Sequence, residues 1–259
     1  MSTPPAIPGD LHAGDACVTA HVLDLGTGRP GSGMAVTLAR MYPDGAEQLA
    51  CATTDLQGRL GAPLLTQGEA VAGRHLIAFD TGSAFFGTIS VEFDLADPTR
   101  HHHVPLVLSP YGFSTYRGAP PHRAPDPIGI CVRHPVDIPA ASGAPPGTLG
   151  PGMTVHVIDI AQGTGAGGMS VELTTPSGKI RSGLITNAEG RTNDWLVGPG
   201  ALEMGDYELR FDLKSYFRAA GLDTFFPRAR LGFRVSRKDE HYHMPLLVSP
   251  SGYSCYRGS

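Results

Sequence analysis

HHHVPLVLSPYGFSTYRG at 101–118 and HYHMPLLVSPSGYSCYRG at 241–258 match at 11 of 18 positions without a gap, 140 residues apart. Upstream, TAHVLD (19–24) matches TVHVID (154–159), and GMAVTL (33–38) matches GMSVEL (168–173), both at an offset of 135. Between these landmarks, Gly58-Arg59 answers Gly190-Arg191 at an offset of 132. Four landmarks in one order identify an internal duplication. The repeat predicts copy one over 14–118 and copy two over 151–259. The stretch between them, 119–150, holds eight of the 23 prolines and no periodic apolar pattern. It reads as a semi-rigid connector, long enough that the copies need not sit side by side in a fixed way.

Within each copy the apolar period is two. Val155 and Val157 flank His156; Leu231, Phe233 and Val235 share a face, as do Val91, Phe93 and Leu95; Tyr207, Leu209, Phe211 and Leu213 share another. Alternation of this kind, bounded by Gly, Pro and Asp, predicts half-buried strands. With 34 glycines and 23 prolines among 259 residues, long helices are disfavoured. The expected class is all-β, two tandem β-sandwiches. One helical turn is expected in copy two. Phe79 and Phe211 are 132 apart but Phe85 and Phe225 are 140 apart, so copy one is eight residues shorter there. The longer version, KSYFRAAGLDTFFP, contains SYFRAAGL, a helical turn ending near Gly221; copy one reads TGSAFFG.

Composition narrows the partners. A net charge of -4 argues against nucleic acid. No apolar run approaches the roughly 18 residues of a membrane span. MSTPPAIPGDLHAGDA lacks the basic and apolar regions of a secretory signal, so a cytoplasmic location is expected. Cys17, Cys51, Cys131 and Cys255 form no CxxC pair, which leaves out a zinc ribbon or a thioredoxin-like site.

Against this plain background, histidine recurs on polar strand positions. His21 and His156 lie mid-strand; His101 and His103, like His241 and His243, are two apart and so share a face. Arg59 and Arg191 follow glycine in turn-like contexts. Singly, each reads as a surface residue; kept in both copies while their neighbours change, they read as one site. A neutral imidazole can take a proton from water near neutral pH, and positioned bases contribute about 10²–10⁴ in rate. Arginine supplies a planar charge for oxyanions. The set fits water attack on a carbonyl of an anionic, oxygen-rich substrate. The rival reading of H-x-H is a zinc or iron site, with His156 as a third ligand.

HVID early in a copy, GR in its middle and H-x-H-x-P-L-L followed by a terminal YRGS resemble the 5-hydroxyisourate hydrolase family, whose members have the transthyretin fold. The resemblance spans 153–259 and, more loosely, 17–118. It implies that each copy is an eight-stranded sandwich of two four-stranded sheets, with one short helix in the second copy, and hydrolysis of 5-hydroxyisourate without cofactor or metal. It further implies sites at a subunit interface of a homotetramer. Carried over, His156, Arg191, His243 and Ser259 are the catalytic candidates, with His156 and His243 activating water. Tyr256, His241 and Arg257 are substrate-binding candidates, as are His21, Arg59, His103 and Tyr116 of copy one. Copy one departs from the pattern: Ala119 and Pro120 replace the terminal serine. Its catalysis is therefore in doubt, and the shortened segment adds to the doubt. Two chains would supply four sandwiches, so a homodimer imitating the tetramer is expected. Two alternatives stay open: the same site retuned for another cyclic imide, lactam or lactone, and a non-catalytic carrier.

Overall fold

Alternating apolar side chains put the strands into two layers with one core between them. The computed structural model describes residues 16–118 and 150–258. The linker through 149, with Cys131 and Ala119, and the terminal Ser259 lie outside the described residues. In copy one the strands are β1 (Ala16–Asp24), β2 (Arg29–Pro30), β3 (Ala35–Tyr42), β4 (Gly45–Thr53), β5 (Leu65–Thr66), β6 (Gly73–Ser83), β7 (Gly87–Leu95), β8 (His102–Ser109) and β9 (Gly112–Tyr116). In copy two they are β10 (Gly152–Asp159), β11 (Thr164–Gly165), β12 (Ser170–Thr174), β13 (Ile180–Ile185), β14 (Gly205–Phe211), β15 (Ala229–Val235), β16 (His241–Ser249) and β17 (Gly252–Tyr256). One helix, α1 (Leu213–Ala219), lies between β14 and β15.

The strands form two sheets, and both run through the two copies. One has the order β11-β10-β16-β17-β9-β8-β1-β2, with β5 on β1; the other is β13-β12-β14-β15-β7-β6-β3-β4. The copies are thus not loosely tethered, as the linker length had suggested, but share both sheets. β17 and β9 pair antiparallel from Gly252↔Tyr116 to Tyr256↔Gly112, with Ser254 opposite Ser114. Under the 140-residue offset the pairs exchange, Gly252↔Tyr116 with Tyr256↔Gly112, and only Ser254 faces its own counterpart, so the register is that of a self-complementary two-fold interface. The physical reason for the fixed arrangement is that each edge strand offers unpaired N–H and C=O groups that the other satisfies. In the second sheet β15 meets β7 at Ala229↔Val91, flanked by Arg234 N donating to Phe85 O at 2.7 Å and Asp94 N donating to Phe225 O at 3.1 Å.

Aromatic rings fill the joint in matching pairs. Phe85 of copy one packs on Phe233 at 5.8 Å, and Phe225 of copy two on Phe93 at 5.6 Å. Phe86 meets Phe113 and Phe226 meets Tyr253, each edge-on at 5.3 Å. Burying a side chain of this size is worth roughly 1.5–3 kcal/mol, so the joint is part of the core rather than a contact between finished domains. On the outer face of the second sheet, Arg210 bridges Glu172 and Glu208, and Arg230 bridges Glu208 and Glu92 of copy one.

The helix overlaps the expected SYFRAAGL turn but starts two residues earlier, at Leu213. Asp212 caps it by accepting from Ser215 N at 3.1 Å, Leu213 and Phe217 are buried, and Gly221 at φ 73° ends it. Tyr216 donates to Asp159 at the end of β10, at 3.0 Å. Among the described residues no helix is long and apolar enough to cross a membrane.

Candidate active site

β10 and β16 pair in parallel, with Thr154 opposite His243 and Gly152 opposite His241. Val155, Val157, Tyr242 and Met244 face the core, so Thr154, His156, His241 and His243 stand together on the outer face. The Thr154 hydroxyl lies 2.9 Å from His241 Nε2 and 2.9 Å from His243 Nδ1. The His156 and His243 rings are 6.5 Å apart.

A tight turn brings in the arginine. Asn187 Oδ1 accepts from Glu189 N and Arg191 N, and Gly190 sits at φ 76°. Val157 N then donates to Gly190 O at 2.7 Å. A Cβ at position 190 would stand 1.9 Å from Val157 O, so only glycine lets the turn lie flat on β10. The next residue, Arg191, bridges to His156, and its Nη2 donates to His156 Nδ1 at 3.2 Å. The chain end passes beside the same group: Gly258 N donates to His243 O at 2.8 Å, and a Cβ there would meet His243 Cδ2 at 2.7 Å.

Three of the four catalytic candidates, His156, Arg191 and His243, therefore come together; Ser259 lies outside the described residues. Tyr256 points to the same outer face and is 46% exposed. Arg257 turns the other way. Its guanidinium lies over the rings of Tyr242 (4.5 Å) and Phe85 (5.8 Å) and pairs with Glu240, which places it in the joint between the copies.

Copy one builds the same arrangement. Thr19 Oγ1 lies 2.7 Å from His101 Nε2 and 2.9 Å from His103 Nδ1, and His21 bridges to Arg59 beyond Gly58 at φ 72°. His21 Nε2 donates to Gln57 O at 3.0 Å; among the described residues Arg59 makes no hydrogen bond to it. Tyr116 is exposed like Tyr256. The shortened segment between β6 and β7 lies at the joint, so it takes nothing away from this histidine face.

Burial is the main cause of low imidazole pKa values here, because it disfavours the charged form. It pushes His243 down to about 4, with Arg191, His241 and His156 adding positive charge. His103 is lowered to about 4 in the same way, by burial and then His101, His21 and Arg59. Burial and then Arg191 lower His156, and burial lowers His241. The cluster is thus neutral imidazole beside a fixed guanidinium, a base next to an oxyanion partner. Among the described residues no three His, Cys, Asp or Glu side chains are grouped to hold a metal ion; His156 faces Arg191, and Thr154 occupies the place between the H-x-H rings.

Sequence reasoning missed Thr154 and Thr19, although both recur two residues before the strand histidine in TVHVID and TAHVLD. It also missed Trp195, whose ring stands edge-on to His241 at 5.5 Å over Gly152. Pro63 holds the equivalent position in copy one, so the repeat carried no signal for it.

The sequence model described as the HIUase/Transthyretin family matches residues 18–118 and 153–258. A probable 5-hydroxyisourate hydrolase of Schizosaccharomyces pombe is 38% identical over 121 residues, 44% of this chain and 97% of that protein. The 5-hydroxyisourate hydrolase of Deinococcus radiodurans is 41% identical over 115 residues, 42% of this chain and 97% of its own length. The solved 5-hydroxyisourate hydrolase of Klebsiella pneumoniae is 36% identical, covering 41% of this chain and 92% of that one, with a TM-score of 0.36. Each of these proteins matches over nearly all of its own length with less than half of this chain. Since the two matched segments together take up most of its residues, the chain belongs to the HIUase/Transthyretin family and carries the family unit twice.

Proposed function

We propose that this protein hydrolyses 5-hydroxyisourate, opening a cyclic amide to 2-oxo-4-hydroxy-4-carboxy-5-ureidoimidazoline in urate degradation, and that it does so with two transthyretin-like copies over 14–118 and 151–259. The observation that carries this reading is the neutral His243 imidazole on the same face as the Arg191 guanidinium, with Arg191 held by His156 at 3.2 Å. The relatives that share the family unit are named for this reaction.

His156 offers Nδ1 to Arg191 and so acts as its positioner. His243 is left as the base. With Nδ1–H donating to Thr154 and the threonine hydroxyl donating to His241 Nε2, His243 Nε2 is unprotonated. It takes a proton from water as the water oxygen bonds to the amide carbonyl carbon. Arg191 stabilises the oxyanion that forms. The carbon–nitrogen bond then breaks, and the imidazolium returns its proton to the departing nitrogen. Ser259 and Tyr256 are placed by this reading around the substrate.

The test generates 5-hydroxyisourate in situ with urate oxidase and follows its ultraviolet decay. His243→Ala and Arg191→Ala are each expected to reduce turnover at least tenfold, with smaller losses for His103→Ala and Arg59→Ala. Decay no faster than the uncatalysed control would sink the assignment. Equal losses in both copies would overturn the dominance of copy two, which rests on the Arg191–His156 hydrogen bond and on Trp195.

The outer histidine face leaves Tyr116 and Tyr256 each 46% exposed along two neighbouring strands. A second chain covering it would give a homodimer that imitates a tetramer of sandwiches. Light scattering is expected to return about twice 27.2 kDa at micromolar concentration; a monomer there refutes the pairing.

A further inference from the structure

The two ends of the joint differ at one corner. Near Phe85, Arg257 lies over Tyr242 and pairs with Glu240. The Tyr242 hydroxyl accepts from Ser236 N and Arg237 N, both at 3.2 Å. At the opposite end Arg117 likewise lies over the Phe225 ring, at 5.2 Å. Here, however, the counterpart of Glu240 is Arg100 and that of Tyr242 is His102. Among the described residues Arg117 has no carboxylate partner. His102 is 2% exposed and stacks on Phe225 at 5.8 Å; its Nε2 donates to Asp97 O at 3.0 Å, and its Nδ1 has no partner.

At this corner the segment that only copy two possesses forms one wall of a cavity of about 610 Å³ that is open to solvent. Arg117 and His102 line one side, and Lys214, Arg218 and Phe225 the other. Asp94 and Asp223 also line it, but Asp94 is engaged by Lys214 at 2.8 Å and Arg74 at 3.5 Å. Arg218 and Arg117 remain as cations without a carboxylate within ion-pair reach among the described residues. The backbone of Arg117 is held by its N–H donating to Ser251 O at 2.8 Å, so its side chain projects from a fixed base.

We propose that this cavity between the copies binds a small oxyanion, a carboxylate or phosphate group gripped by Arg117 and Arg218 above the Phe225 ring. Planar guanidinium groups suit such oxygens. The site is separate from the histidine face, because His102 points to the core side of β8 while His101 and His103 point outward.

The full chain is titrated with inorganic phosphate and, separately, with malonate, at ionic strength matched by sodium chloride, and followed by calorimetry and thermal unfolding. Saturable binding of at least one anion, with a rise in Tm beyond the chloride control, is expected; which anion binds distinguishes a phosphate from a carboxylate ligand. Arg117→Gln and Arg218→Gln are expected to weaken it at least tenfold. Arg100→Glu installs the carboxylate that copy two already has beside its own arginine, and is expected to abolish binding with Arg117 still present. Arg257→Gln is the control that leaves affinity unaltered. No anion-dependent change beyond chloride overturns the proposal, as does binding that survives both Arg117→Gln and Arg100→Glu.

Discussion

At the scale of single residues, the site turns on one hydroxyl. Thr154 holds two imidazoles at 2.9 Å each and leaves His243 Nε2 facing outward with Arg191 and His156. Removing it frees both rings to rotate. Thr154→Val is expected to lower kcat at least tenfold with a smaller change in KM, and Thr154→Ser to restore most of it. A valine variant as fast as the parent would show that the hydroxyl has no part. The same residues set the acid side of the pH profile. A base lowered to about 4 stays unprotonated far below the usual histidine range, so kcat/KM should hold through pH 5.5 and fall as pH drops through about 4. An acid limb near 6.5 would point to another group. The linkage has a stability counterpart. The unfolded chain binds protons at His103 and His243 from about 6.5 downward while the folded chain does not until about 4, so stability declines as pH falls across that window.

At the scale of elements, the Gly-Arg turn and the parallel β10–β16 pair build the site between them. Gly190→Ala meets a left-handed backbone and a carbonyl 1.9 Å from the new Cβ. A left-handed non-glycine residue costs about 1–3 kcal/mol, and the clash adds to it, so a lowered Tm and a displaced Arg191 are expected. Unfolding curves and the decay assay read both; an unchanged Tm would contradict the described turn. This is also the scale at which the sequence stops being legible. A period of two tells that His156 faces away from Val155 and Val157, and that His241 and His243 share a face. It does not tell which strand lies alongside, so Thr154 stayed hidden: its role depends on a register with a strand almost ninety residues away. Trp195 was hidden for a different reason, since Pro63 replaces it in the other copy and only residues kept twice stood out.

At the scale of the whole molecule, the duplication was visible and the joint was not. Edge-strand pairing between β9 and β17 depends on backbone groups that every sequence carries, and the eight-residue difference read as a loss from copy one. In the fold that segment belongs to the joint, where Phe225 reaches across to Phe93 and His102. Because both sheets and the aromatic core cross the joint, the link between Gly118 and Gly150 is not what holds the copies together. Cutting the chain there is expected to leave two fragments that co-elute under native conditions and separate only in denaturant; fragments that part freely would refute the continuous sheets.

The register centred on Ser254 and Ser114 has one more effect. In an assembly of identical subunits every substitution at such a seam lands twice, and both halves must tolerate it. Joined in one polypeptide, the halves can drift separately. Arg100 could take the place that glutamate holds across the axis, and one lip of the seam could acquire chemistry that its mirror image never shares.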